Sequence, residues 1–245
     1  MGHVVSVGAT SPKIYVAHFD ISGDSNAHSI SHTIALPDDT NYGDSFKQRL
    51  PGLIDVSVSV TGNVDQAGAT DSDTIIDARM GVQDVPLIIC PVGSAVGDPC
   101  AFGLVGLGQY NRKLVMGDLY KFDLAASIAN RIWVHGKVLA TPATAVTGTT
   151  NGAEVLIGAA SAAQSLYVGI AITTYSGAGS VTVRVESDTT GFASATVQKT
   201  FTAATVITSE MPAAVDGAIT DTYYRAAVSA FTATSVNMIV VAGIR

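Results

Sequence analysis

Two histidines and two aspartates near the beginning of the sequence are the first residues that could do chemistry together. His28 and His32 lie four positions apart, and Asp20 and Asp24 precede them. A spacing of four places both imidazoles on one face of a strand or a helix. Imidazole and carboxylate groups bind metal ions, but no HExxH pattern accompanies these residues. We therefore interpret the histidines as surface residues of a polar strand and predict no metal site.

The only two cysteines, Cys90 and Cys100, enclose the segment PVGSAVGDP. A hairpin loop of this kind would bring them near each other, but a disulfide also needs a specific Cα separation. The sequence has no CxxC pattern and no histidine close to these residues, which disfavours a zinc site. Two free thiols are the default in a reducing cytosol, and a disulfide stays open as the alternative.

Other candidate motifs lack a part that their chemistry requires. Gly103, Gly106 and Gly108 are followed by no Lys-Ser/Thr pair, so a phosphate-binding loop is not predicted. The segment Asp71-Ser72-Asp73 lacks the glycine and the final glutamate of a calcium-binding EF-hand loop. We predict no catalytic residues and no cofactor, and we expect that the protein is not an enzyme.

Sugar binding has little support among the aromatic and acidic residues. Glycoside hydrolysis needs two carboxylates that face each other across a cleft, and the sequence has only three glutamates. The single tryptophan, Trp133, lies in a strand-like run, and Tyr223 and Tyr224 point to opposite faces of a strand. A carbohydrate-binding module therefore ranks below a structural protein as an alternative function.

Composition excludes several classes of protein. The 245 residues are 47% apolar and only 13% charged, with a formal net charge of −7, whereas about 25% charged residues is usual. Mean hydropathy is +0.36, but no run of about 18 apolar residues predicts a membrane helix. The acidic balance disfavours a surface that grips nucleic acid. A surface so poor in charge indicates that neighbouring copies cover much of it. The first residues, Met1-Gly2-His3, do not resemble a secretion signal.

Alternation with a period of two dominates the sequence and predicts an all-β fold. Residues 56–61, Val-Ser-Val-Ser-Val-Thr, are typical of a strand with one buried face. We predict further strands at 74–80, 85–90, 101–110, 119–129, 132–139, 165–172, 180–187, 195–201, 204–209, 222–230 and 236–242. Glycines in the 101–110 run favour a bulge or a close backbone approach. One short helix is predicted at 42–50 with Asp44 as its cap, and 65–77 is a weaker candidate.

Residues 141–152 have no charge and no periodic apolar pattern, which is typical of a linker. We predict a first domain over 1–145, a linker over 146–152 and a second domain over 153–245. The first is expected to be a β-sandwich with one short helix. The second is expected to be a small β-sandwich, immunoglobulin-like or jelly-roll-like. Residues 1–150 hold nine basic and 14 acidic side chains, so −5 of the net charge lies there.

Three elements occur in a fixed order in the first domain. Asp20-Ile21-Ser22-Gly23 follows the first strand, Gly43-Asp44 comes next, and Gly52-Leu53 leads into the alternating strand. Asp20 and Ser22 supply turn chemistry, and Gly23 can take a positive φ. This order resembles the tail tube (major tail) proteins of long-tailed bacteriophages. The resemblance covers roughly residues 13–65.

The resemblance implies a structural protein of the virion tail that is assembled in the bacterial host's cytoplasm. Such proteins form rings, usually of six copies, which stack into a tube and contact other tail proteins. DNA passes through the lumen without specific binding, an acidic lumen is expected to repel it, and no membrane insertion is expected. Residues 30–45, with Asp38 and Asp39, would form a loop that reaches the next ring.

Other readings stay open beside the tail tube. The chain could be a head decoration or baseplate-type protein of the virion. The second domain is similar to accessory sandwiches of phage virion proteins, and its role could be host-surface contact, stabilisation or decoration alone.

Overall fold

The computed structural model describes residues 12–40, 42, 46–50, 52, 54–66, 71–128 and 133–245. In this part of the chain the fold is all-β with one short helix, which confirms the predicted fold class. In chain order the elements are β1 (Lys13–Val16), β2 (Phe19–Asp20), β3 (Ser25–Ile34), β4 (Ile54–Asn63), α1 (Ser72–Asp77), β5 (Val85–Cys90), β6 (Pro99–Lys113), β7 (Lys121–Ile128), β8 (Val134–Ala140), β9 (Thr150–Asn151), β10 (Val155–Leu156), β11 (Ser165–Ser176), β12 (Val181–Asp188), β13 (Thr196–Thr200), β14 (Thr208–Glu210), β15 (Val215–Asp216), β16 (Tyr223–Phe231) and β17 (Ser235–Ile244).

The described residues form two compact units. Unit 1 takes its residues from 1–23, 85–104 and 132–245, and unit 2 from 24–84 and 105–131. Strand β6 contributes its first part to unit 1 and its second part to unit 2.

Unit 1 contains two antiparallel sheets. One has the strand order β14-β11-β17-β8-β6-β5-β1-β2, and the other has the order β10-β16-β12-β13. The two sheets share an apolar core to which both β12 and β17 contribute buried valines. This is the arrangement of a β-sandwich, in which inward-facing side chains of two sheets interdigitate.

Strand β17 is buried on both faces. Met238, Val240 and Ala242 belong to the sandwich core, whereas Ile239 and Val241 belong to a second apolar cluster with side chains from β5, β6 and β8. Successive side chains in a strand point to opposite faces. A strand covered on both sides needs apolar residues at successive positions, which explains the continuous apolar run from Met238 to Ile244.

Unit 2 is built on a four-stranded antiparallel sheet with the order β3-β4-β7-β6. On β4 the side chains of Val56, Val58 and Val60 are buried and alternate with small polar residues. This alternation confirms the strand predicted at 56–61. The sheet also contains the expected irregularity in the glycine-rich run, because the pairing register of β6 and β7 shifts around Gly108.

The prediction of a strand at 74–80 is wrong, because residues 72–77 form helix α1. The Asp71 carboxylate accepts a hydrogen bond of 2.7 Å from the backbone N–H of Thr74, which caps the helix. Ile75 and Ile76 are both buried. Adjacent apolar residues suit a helix that buries more than one side, whereas the β-branched composition alone favoured a strand.

The prediction of a helix at 42–50 is also wrong for its described residues. Arg49 instead forms an antiparallel bridge with Asp38. Residues 30–34, predicted as loop, lie in β3. The backbone groups of this segment form hydrogen bonds across a hairpin, so they are not available to a helix.

The compact units divide the chain differently from the predicted domains. Residues 85–104 and 132–145 lie in the same unit as residues 153–245. Within the predicted linker, β9 pairs with β16, and Val146 forms a bridge with Val236. Independent folding of residues 153–245 stays a prediction.

Candidate functional site

The segment between β3 and β4 extends their hairpin well beyond the two strands. We call the described residues of the 35–53 segment the arm. Its backbone N–H groups donate across the hairpin from Asp39 to the carbonyl of Gln48 (2.9 Å), from Leu50 to Pro37 (3.2 Å) and from Gly52 to Ala35 (2.7 Å). The arm therefore continues the hydrogen bonding of the β3–β4 pair.

Gly52 is required where the two sides of the arm come close. A Cβ atom built at this position would lie 2.9 Å from the carbonyl oxygen of Ala35. Any side chain would collide with the opposite backbone, so only glycine fits without a shift. Of the other residues that carry the family resemblance, Gly43, Asp44 and Leu53 lie outside the described residues.

Asp38 stabilises the arm locally. Its carboxylate accepts hydrogen bonds from the Thr40 hydroxyl and from the Thr40 backbone N–H, and these lower its pKa below the usual value. The Thr40 hydroxyl in turn accepts a hydrogen bond of 3.0 Å from the backbone N–H of Gln48. Asp39 contributes its backbone N–H to the hairpin. Both aspartates proposed for an inter-ring loop thus lie in the arm.

Asp20 and Ser22 close the turn after β1 in unit 1. One Asp20 carboxylate oxygen accepts from the Ser22 backbone N–H at 2.9 Å, and the other accepts from Lys13 at 3.0 Å. The Ser22 hydroxyl accepts from the backbone N–H of Ile14 at 2.8 Å. Gly23 has no positive φ, so the turn does not use the freedom that a glycine offers there.

The arm exposes large apolar side chains. Phe46 is 85% exposed and Leu50 is 55% exposed. At the base of the arm Ile34 and Ile54 face each other across the hairpin and are also exposed. Scattered apolar residues are normal on a protein surface, but a contiguous apolar patch usually marks an interaction site.

A second exposed apolar group lies on the turn between β6 and β7. We call residues 114–120 the tip. Leu114, Val115, Met116 and Leu119 are all exposed, Leu119 to 62%. The Asp118 carboxylate orders this turn by accepting hydrogen bonds from Lys121 (2.8 Å) and from the backbone N–H of Leu119 (2.7 Å). These bonds lower the pKa of Asp118.

The arm and the tip lie at opposite ends of the sheet in unit 2. Ile34 pairs with Ile54 next to the arm, whereas Asn63, at the far end of β4, pairs with Lys121 next to the tip. The ten residues of β4 separate the two by about 30 Å, at about 3.3 Å per residue.

Strand β3 forms one edge of this sheet. Within the described part of the chain it pairs only with β4. Its sequence, SNAHSISHTI, has no lysine, arginine, acidic residue or proline. Soluble proteins usually block an edge strand with such residues, because its free N–H and C=O groups can pair with another chain.

The structure places the histidines and the tryptophan that were first considered for chemistry in a sheet and in the core. His28 and His32 pair with Val60 and Val56 on the apolar side of the sheet, and no group of three or more His, Cys, Asp or Glu among the described residues is arranged to hold a metal ion. Trp133 is buried and cannot stack on a sugar ring. None of the described helices has the length and apolarity to cross a bilayer.

Cys90 and Cys100 are buried free thiols. Burial raises the pKa of the Cys90 thiol to about 12 and raises that of Cys100 as well. Since the thiolate is the nucleophilic form, these environments suppress the reactivity of both side chains.

Sequence reasoning singled out Asp38 and Asp39 as candidates for an inter-ring loop but did not consider the exposed apolar residues of the arm and the tip. The signal that could have found the tip is the run Leu114-Val115-Met116 between two strands, followed by Gly117-Asp118. A turn normally carries polar residues, so apolar residues at its apex indicate contact with a partner.

No known family model matches the chain, and no curated protein matches it. Among solved structures, it is similar to a chain in the virion of a native gene transfer agent particle, with 14% identity and a TM-score of 0.42, over 53% of this chain and 98% of that one. A second likeness is to the tail of an empty gene transfer agent particle with C6 symmetry: 15% identity, a TM-score of 0.34, 45% of this chain and 80% of that one.

A third likeness is to the Dit protein of phage SPP1, described as a hub of the adsorption apparatus in phages that infect Gram-positive bacteria. Identity is 12% and the TM-score 0.38, over 96% of this chain and 99% of that one.

Proposed function

We propose that this chain is a structural subunit of a phage-type virion tail that self-assembles into rings, usually of six copies, which stack into a tube for the passage of DNA. The observation that carries the proposal is the placement of two exposed apolar groups, the arm and the tip, at opposite ends of one sheet. A copy with complementary groups at its two ends can associate head to tail with the next copy.

The edge of β3, which pairs only with β4 within the described residues, supports ring formation in a second direction. Hydrogen bonds across an edge run perpendicular to the strands. Pairing through β3 would therefore join copies side by side, whereas the arm and tip would join them end to end. Two independent directions of contact are what a stack of rings requires. The resemblance over residues 13–65 agrees with this reading.

The proposal also includes the protein partners and the location of the tube. The tube would contact other tail proteins, with the virion tail as its location and the bacterial host's cytoplasm as the place of assembly. It would hold no cofactor, catalyse no reaction and insert in no membrane. Host-surface contact is one of the candidate roles of residues 153–245, which were predicted as a second domain.

Electron microscopy of the purified full chain tests the proposal. We expect rings and stacked rings, with long stacks becoming more frequent as the protein concentration rises. Rings that never stack would favour a baseplate-type protein instead, because such a ring occupies one level of a tail. A chain that stays monomeric up to millimolar concentration would contradict both readings.

A further inference from the structure

The central part of one face of the sheet in unit 2 consists mostly of small uncharged side chains. Two complete rows cross its four strands. The registers align Ser31, Ser57, Ser127 and Gly106 in one row, and Ser29, Ser59, Ala125 and Gln109 in the next. We call these eight residues and their neighbours on the same side the hydroxyl face.

Two hydrogen bonds on this face join side chains of β3 and β4. The Ser29 and Ser59 hydroxyls are 2.8 Å apart across β3 and β4, and the Thr61 hydroxyl donates to the Asn26 side chain at 3.0 Å. Groups paired in this way along the surface leave fewer free donors for a ligand.

Charged side chains on this face lie outside the two central rows and cancel. Asp55 and Asp123 are acidic, and Lys113 and Lys121, which pair with each other at the end near the tip, are basic. The face is therefore neutral, although the whole chain carries −7. Binding to DNA requires lysine and arginine against the phosphates, and the central rows offer neither.

The two proposed directions of contact between copies determine how this face is oriented relative to the tube axis. If the arm and tip join copies along the tube and the edge of β3 joins them around the ring, the sheet normal is radial. The central part of the opposite face carries the buried side chains of Val56, Val58 and Val60 and is thus covered by the chain itself. At the centre of the sheet it is therefore the hydroxyl face that can point at an open space.

From this geometry, and resting on the tube function proposed above, we propose that the hydroxyl face lines the lumen and lets duplex DNA pass without binding it. The lining is neutral and hydrated, in place of the acidic lining expected from composition. Central rows without fixed charge give a moving polyanion neither ion pairs to break nor bound counterions to displace.

Thiol labelling of assembled protein tests this assignment. Ser59→Cys places a reactive thiol at the centre of the face. Cys90 and Cys100 are buried, so we expect them to add no labelling of their own. Val206→Cys, at an exposed site of unit 1, is the matched control. The two reagents are N-ethylmaleimide and a maleimide on a large polyethylene glycol chain.

In stacked tubes we expect Ser59→Cys to react with N-ethylmaleimide but to react at least about tenfold more slowly with the large reagent than in unassembled protein. Val206→Cys should react with both at unchanged rates. Protection of Ser59→Cys from both reagents, or full reactivity with both, would overturn the assignment while the proposed tube stands. A chain that forms no tubes in the micrographs overturns the proposed function first, and the lumen with it.

A gain of binding provides the second test. Ser57 and Ser127 are direct cross-strand partners, so Ser57→Arg with Ser127→Arg places two guanidinium groups side by side on the face. We expect tubes of this double variant to retain short duplex DNA at low salt and to release it as salt rises. The control with Val197→Arg and Val206→Arg adds the same charge at exposed sites of unit 1. Equal DNA retention by both double variants would overturn the assignment.

Discussion

The Tyr110 hydroxyl donates a hydrogen bond of 2.8 Å to the Asp73 carboxylate and so connects β6 to helix α1. Asp73 is 7% exposed and also accepts from Gln66 at 2.8 Å. Arg112 lies 3.3 Å from Asp73 and 2.6 Å from Asp77. One carboxylate thus joins the helix, the preceding loop and the sheet of unit 2.

We expect Asp73→Asn to lower the free energy of unfolding by about 1–3 kcal/mol, because it removes a charged acceptor and leaves Arg112 with one partner less. Tyr110→Phe should cost about 1 kcal/mol. Urea unfolding followed by circular dichroism measures both changes. Asp123→Asn, at an exposed site on the same sheet, is the control, and an equal loss in the control would contradict the role of the network.

Alkaline pH should destabilise unit 1 through Tyr224. Burial raises the pKa of this side chain to about 12 from an ordinary value of 10.0. The folded state therefore holds the proton more tightly, so stability is fully present below pH 10 and falls as pH rises toward 12. We expect a loss of about 1 kcal/mol at pH 11 relative to pH 8. Between the two pH values, the free energy of unfolding measured with denaturant should fall less in Tyr224→Phe than in the unmodified protein. An equal fall in both proteins would show that Tyr224 is not the group responsible.

A lysine on the edge strand β3 should prevent lateral pairing. Thr33 is exposed on β3 and pairs with Asp55, so Thr33→Lys can form a cross-strand ion pair inside its own subunit. The charge would then oppose a neighbouring strand. We expect the ring dissociation constant to rise at least about tenfold in analytical ultracentrifugation. Thr33→Val keeps the strand neutral and should assemble like the unmodified chain, and rings of equal stability in both variants would argue against this edge.

Mixing two stacking-deficient variants should reveal whether the arm binds the tip. Leu50→Asp disables the arm and Leu119→Asp disables the tip, because each places a charge in an apolar contact. Each variant alone should form rings without stacks. Their mixture should form pairs of rings and nothing longer, since only one intact arm can meet one intact tip.

Electron microscopy counts the rings in each particle of that mixture. Val206→Asp, at a site 61% exposed, should stack normally. Single rings in the mixture would show that the arm binds another surface.

Both cysteines should stay unreactive until the protein unfolds. Their burial and raised pKa values keep them protonated and shielded at pH 8. We expect a disulfide reagent such as dithionitrobenzoate to modify neither thiol in native protein and both in urea. Rapid modification in buffer alone, or a disulfide in the non-reduced protein by mass spectrometry, would contradict the structure.

Local patterns predicted much of the fold. The Val-Ser alternation of residues 56–61 indicated a strand with one buried face, and the structure has it. The alternation did not show that the serines of β4 align with Ser29, Ser31 and Ser127. Strand register is a long-range property, set by the packing of the apolar face and by the turns. The hydroxyl face was for this reason invisible in the sequence.

The arm shows a second limit of prediction from the sequence. Residues 30–45 have few apolar residues and read as a loop, yet Asp38 and Arg49 form a bridge there. Backbone hydrogen bonds hold this part of the hairpin, and they leave no side-chain pattern. At residues 74–80 the isoleucines favoured a strand, whereas the capping aspartate at position 71 determined a helix.

The placement of arm and tip has a consequence for the size of the particle. Contacts between unlike ends do not close on themselves, so each added ring presents the same free end as the ring before it. Growth along the axis then stops only when protein runs out or another molecule occupies an end. A subunit of this design determines the inner diameter of the tube but not its length. The length must be set by a separate molecule that either measures the growing tube or caps its end.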